Sequence, residues 1–163
     1  MKNLKPILLV LLLGIIQPTV NAQKDTIDIR NNDLIMSKLT LSQDQYLVYI
    51  SSETRVLMSS IWYRDTKRTK LNGKDVFIIS QRWISNNKAV EREILSVSKA
   101  QNFSPIYHYS KSGGNKIEAF SFEENKIIGT DSIKNNSRKE FSLLIKQPTL
   151  NWELDMEIFK TLN

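Results

Sequence analysis

The chain has no cysteine and only one histidine, five glycines and four prolines among its 163 residues. Without cysteine there is no disulfide stapling and no acceptor for a lipid anchor behind an export signal, so the fold must stand on its core. One histidine and no cysteine leave tetrahedral zinc sites short of ligands. A histidine-dependent triad would rest on His108 alone, and no Gly-x-Ser-x-Gly elbow accompanies it. The Gly-Gly pair in "SKSGGNK" lacks the Gly-x-x-x-x-Gly-Lys spacing and a following helix, so it is a turn and not a phosphate cradle. Beyond the first residues no apolar run approaches the ~20 residues needed to cross a bilayer. No metal and no cofactor are expected.

The N-terminal residues supply what the rest lacks. "MKNLKPILLVLLLGIIQPTVNAQ" has two lysines, an apolar run from Pro6 to Ile16 and a small-x-small step at Val20-Asn21-Ala22. This is the pattern of a secretory signal peptide, residues 1–22, cleaved after Ala22. The mature protein is then expected in the periplasm or outside the cell, as one domain with no transmembrane segment. Loss of Lys2 and Lys5 with the leader leaves 21 basic against 17 acidic residues, a mildly basic surface with the signs interspersed.

Residues 23–45 read as a polar leader in which "LIMSKLTL" forms either a short helix or a strand. From Tyr46 onward the chain is rich in Val, Ile, Tyr, Trp and Phe and is punctuated by turn signals rather than helix caps, the signature of antiparallel strands. Asn72-Gly73 predicts a two-residue hairpin between strands at about 60–70 and 75–85, because both central positions need positive φ. "SNNK", "SGGNK", "EENK" and "KNNSRK" mark further turns. The result is a meander of roughly seven or eight strands.

After Pro148 the period changes, and a helix is expected over 150–162, capped by Thr149 or Asn151. Trp152, Met156 and Phe159 fall at helical spacing with Leu154, Ile158 and Leu162 beside them, a wide apolar face. Glu153, Asp155 and Glu157 are placed on the wet side, early in the helix, where its dipole favours acids. One such helix must pack on the sheet.

Strand alternation puts Ile106, His108 and Ser110 on one face and Tyr107 and Tyr109 on the other, making His108 a partly exposed strand residue. Glu91 and Glu93 share a strand face at a spacing compatible with glycosidase carboxylates, but Arg92 lies between them in an exposed pattern, and Glu123-Glu124 sits on a turn. The run from Arg64 to Lys74 mixes cations with Trp62 and Tyr63 but brackets a hairpin, where solvated cations are ordinary. No catalytic residue and no nucleic-acid partner are assigned.

The C-terminal half carries a resemblance. A Ser-Pro strand opening at Pro105 comes first, then a "F-x-x-x-K-I-x-G-x-D-S" pair of strands at Phe122, Lys126, Ile127, Gly129, Asp131 and Ser132. A "P-T-x-N-W-x-L-D-x-E" helix start follows at Pro148, Thr149, Asn151, Trp152, Leu154, Asp155 and Glu157. Together these resemble a group of exported proteins of Bacteroidetes-type bacteria, similar to periplasmic half-barrel families that include lipoprotein carriers of the LolA and LolB type. The resemblance spans about 46–162. It implies a curved antiparallel sheet wrapped around a helix, with acyl chains held in the concavity of the carriers, and it carries over no catalytic residue. The relatives continue past the helix with further strands, so the half-barrel of 46–163 is expected to be incomplete at its C-terminus.

The expected architecture is mainly β: a curved antiparallel half-barrel with a C-terminal helix on its concave face. The expected activity is non-enzymatic binding of a lipid or other apolar or amphipathic envelope component, as a carrier or sensor. Its candidate lining is Trp62, Phe77, Trp83, Phe120, Phe122, Trp152, Met156 and Phe159. The same rings serve equally as plain core. The alternatives are a structural module that pairs a sheet edge with an envelope protein and, last, a hydrolase.

Overall fold

The computed structural model describes residues 34–162; the expected signal peptide and residues 23–33 lie outside that range. Eight strands follow one another in a single antiparallel sheet with neighbours in chain order. They are β1 (Gln43–Ser51), β2 (Val56–Leu71), β3 (Lys74–Ser85), β4 (Arg92–Lys99), β5 (Pro105–Ser112), β6 (Ile117–Phe122), β7 (Lys126–Gly129) and β8 (Ser142–Leu144). The sheet is curved and not closed, and one helix near the C-terminus covers part of it. No helix among the described residues is long and apolar enough to cross a membrane.

Turn chemistry sets the register. Asn72 and Gly73 both have positive φ, 49° and 78°, which closes the β2–β3 hairpin tightly and pairs Leu71 with Lys74. At Gly129 the constraint is space: a Cβ there would sit 1.6 Å from the Arg138 carbonyl oxygen, so only glycine lets the 130–141 loop fold back over β7. Asn136 pins that loop, donating to the Ala119 and Thr130 carbonyls while its own side-chain oxygen accepts from the Ala119 and Arg138 amides.

Because directly paired residues of neighbouring strands share a face, the register sorts the sheet into rows. On the helix-bearing face one row runs Tyr46, Trp62, Trp83, Arg92, Ser112, and the next Asp44, Arg64, Gln81, Ile94, Ser110, Glu118. The third is Thr66, Ile79, Ser96, His108, Phe120, Gly129, and below it lie Phe77 and Ser98. Polarity is greatest in the second row and falls beyond it. The apolar core therefore gathers at one end: Phe77 and Ile79 pack with Ala100, Phe103, Leu154 and Ile158, closed by Leu34 and Leu39.

Several expectations are corrected here. Leu34 and Leu39 belong to the core, so the packed unit starts ahead of Tyr46, and the segment between them carries a short 3-10 turn, Met36–Lys38. The helix is shorter than 150–162: it runs Asp155–Thr161 behind a 3-10 turn at Trp152–Leu154, and Asn151 supplies the cap by accepting from the Glu153 amide. Its orientation corrects the apolar reading in part: Leu154, Ile158 and Leu162 pack on the core as expected, but the two exposed rings do not. Leu154, Glu157, Ile158 and Thr161 are buried, whereas Trp152 and Phe159 are 70% and 65% exposed and Met156 is half-buried. The sheet beneath presents arginines, a glutamine and a histidine, which satisfy acids better than rings, so Glu153 and Glu157 turn inward. His108, expected to be partly exposed, is buried under the same segment.

Candidate functional site

The segment from Asn151 to Glu157 is held to the sheet by polar contacts. Arg64 and Gln81, side by side in one row, both donate to the Glu153 carbonyl oxygen, at 2.6 and 2.8 Å. The Glu153 carboxylate is bound by Arg92 through Oε1, and its Oε2 stands 3.0 Å from His108 Nε2. That second contact lies off the hydrogen-bonding direction. On the other side of the ring, His108 Nδ1 lies 2.9 Å from Asn151 Nδ2 and 3.0 Å from Ser96 Oγ. Asn151 Nδ2 also donates to Ser96 Oγ at 3.2 Å.

One turn on, Glu157 faces Arg64, with Oε1 3.6 Å from Nε. Burial pushes the Glu157 carboxyl above its ordinary range, and the Arg64 charge works against that. Asp155, half-exposed, adds a 3.8 Å contact to the same guanidinium. At the far end Lys160 bonds Asp44 at 2.9 Å and Tyr46 at 3.3 Å, and this bond to Lys160 holds Asp44 below the usual carboxylate value.

Ser96, His108 and Glu153 have the connectivity of a hydroxyl–imidazole–carboxylate relay. Ser96 is only 1% exposed and lines neither the cleft beside Trp83 nor the one at Phe122. The Ser96 hydroxyl is taken up inside the fold by His108 and Asn151, which ties the start of the helix segment to the sheet. No cluster of three or more metal-ligating side chains occurs among the described residues.

The aromatic residues take three different places instead of one concavity. Phe77 is buried core beneath the helix. Trp62 and Trp83, cross-strand partners, stack with ring centroids 4.0 Å apart and planes 7° from parallel. Each indole N–H is bound within the sheet, Trp62 to Ser60 Oγ at 2.9 Å and Trp83 to Gln81 Oε1 at 3.1 Å. The Arg92 guanidinium carbon lies 5.3 Å from the Trp83 ring centre. Trp83 of this half-buried shelf lines a cleft of about 210 Å³ with Arg82, Arg92, Lys111, Glu91 and Glu93.

Phe122 lines a separate cleft of about 570 Å³ with Pro105, Ile145, Pro148, Lys99 and Lys146. Phe120, in the His108 row, meets Phe141 edge-on at 5.4 Å. Trp152, Met156 and Phe159 do not join either group from the inner side of the helix. What sequence reasoning missed is the polar set Arg64, Gln81, Arg92, Ser96 and His108. The one local signal was the pair of acids Glu153 and Glu157, four apart; the five sheet residues lie on four strands and share a face only through the register.

Residues 45–163 match the model of a family described as protein of unknown function, DUF3108. No curated protein and no solved structure matches the chain.

Proposed function

The chain belongs to the DUF3108 family, and we propose that it is an exported, non-enzymatic protein that binds an apolar or amphipathic component of the cell envelope, as a carrier or sensor. The observation that carries this reading is the Trp62–Trp83 shelf. Both indole N–H groups are already bound inside the sheet, so the accessible surface of the pair is ring carbon with no polar demand left to meet. A rigid apolar platform beside a cleft, with Arg92 at its border, suits an acyl chain or fused ring carrying a polar end.

The signal-peptide pattern of residues 1–22 supports a periplasmic or extracellular address, where such ligands occur. The resemblance of residues 46–162 to exported Bacteroidetes-type proteins of the LolA and LolB kind points the same way. The sealed position of Ser96 favours binding over hydrolysis. Arg64, the first cation of the basic run beside the tryptophans, is buried against Glu153 and Glu157, which argues against a nucleic-acid surface. The second reading, a structural module pairing with an envelope protein, is favoured by the apolar edge strand β1.

The test is native mass spectrometry of protein purified from its own envelope, with titration of a fluorescent fatty acid. Retained lipid is expected, and Trp83→Ala should weaken uptake by at least ~10-fold, or about 1.4 kcal/mol. Phe122→Ala should leave uptake unchanged. A clean apo mass together with no uptake overturns the reading; loss on Phe122→Ala alone moves the site to the larger cleft.

A further inference from the structure

The two edges of the sheet are built differently. β8 is three residues long and is flanked by Lys139, Lys146 and Pro148, the usual protection of a free edge. β1 is nine residues long, QDQYLVYIS, with no lysine, arginine or proline. It has no partner strand on its far side among the described residues. Between Lys38 and Arg55 there is no basic residue at all, the longest such interval in residues 34–162 of a chain with 23 of them. The one carboxylate of β1, Asp44, is neutralised by Lys160.

The backbone of β1 is aimed outward at the right positions. The Thr66 amide donates to the Ser42 carbonyl, so, counting in twos, residues 44, 46 and 48 turn their polar groups to β2. Those of Gln45, Leu47 and Tyr49 point away from the sheet. The side chains of Leu47 and Tyr49 are 70% and 61% exposed on the face opposite the helix, beside the exposed Ile61 and Tyr63 of β2.

We propose that β1 pairs antiparallel with β1 of a second copy of this chain, centred on Val48, forming a two-fold dimer with one continuous sheet. In that register Leu47 meets the Tyr49 of the other copy, Val48 meets Val48, and Tyr46 meets Ile50. Every central pair is apolar, and no like charges are opposed. Residues whose backbone groups point outward meet each other, as an antiparallel ladder requires. A basic protein repels its own copies, and this cation-free edge is where that repulsion is least. Isologous contact follows because one strand is its own complement.

The test is sedimentation equilibrium of the protein purified from its host, across the micromolar range. Wild type is expected at the mass of two chains. Leu47→Lys with Tyr49→Lys sets lysines opposite one another and should sediment as one chain with an unchanged circular dichroism spectrum. Leu47→Lys with Tyr49→Glu pairs opposite charges in the same register and should restore the dimer. A one-chain wild type overturns the proposal, whether a foreign partner or the chain's own preceding residues cover β1. So does a double-lysine variant that stays dimeric, or a Lys/Glu variant that stays monomeric.

Discussion

Glu153 Oε2 stands 3.0 Å from His108 Nε2, joining the start of the C-terminal helix to the middle of β5, and both side chains are buried. With Arg92 on the other carboxylate oxygen, this is where the helix is fastened to the sheet. Truncating one member of a buried charged group leaves the others unpaired, which costs more than the group contributes as a whole. Glu153→Ala should destabilise the fold by about 3–5 kcal/mol in urea unfolding. A double-mutant cycle with His108→Ala should return a coupling of about 0.5–3 kcal/mol. Additive effects would show that the two side chains do not interact.

The C-terminal segment gives a sharp contrast between neighbours. Leu154→Ala removes a core side chain packed with Phe77 and Ile79 and should cost about 2–5 kcal/mol. Trp152→Ala and Phe159→Ala remove larger rings from exposed positions and should stay within about 0.5 kcal/mol of wild type. Thermal melts of the three variants check this; a large loss from either ring would mean that it packs inward.

Gly129→Ala tests a close approach of two backbones. The added methyl would have to displace the Arg138 carbonyl, which is main chain and cannot rotate aside. A loss of about 1–3 kcal/mol is expected, with faster amide exchange at Ala119, whose N–H and carbonyl are held by Asn136.

The Lys160–Asp44 bond predicts two pH limits. The folded value of Asp44 is lowered, so its contribution is full above the ordinary 3.8 and is lost as pH falls through the folded value. Lys160 is raised by the bond to Asp44, so its contribution is full below the ordinary 10.5 and is lost as pH rises through its folded value. Asp44→Asn should flatten both ends of the stability profile measured by urea titration. Both side chains are partly exposed, so the change at neutral pH should be under ~1 kcal/mol.

The strands were legible because their signals are local. Asn72-Gly73 specifies its hairpin through positive φ, and the period-2 pattern placed His108 and Ser110 on one face and Tyr107 and Tyr109 on the other, as the register has them. The meander followed from turn signals between short β-branched runs. The helix was legible as a helix, and Asn151 caps the 3-10 turn that leads into it.

Tertiary structure alone decided which side of that helix faces inward. Hydrophobic periodicity assumes an apolar receiving surface, and by that rule Trp152 and Phe159 belong inside. The surface it meets is apolar only where Leu154 and Ile158 reach Phe77 and Ile79; the rest is a lattice of Arg64, Gln81, Arg92, Ser96 and His108, brought together from β2, β3, β4 and β5. Burying acids against those groups pairs Arg64 with Glu157 and Arg92 with Glu153, partners that rings could not supply. No stretch of sequence contains that lattice, because its members lie on four strands and become neighbours only when the register is complete. The same holds for Trp62 and Trp83, ordinary strand residues apart and a stacked shelf once paired.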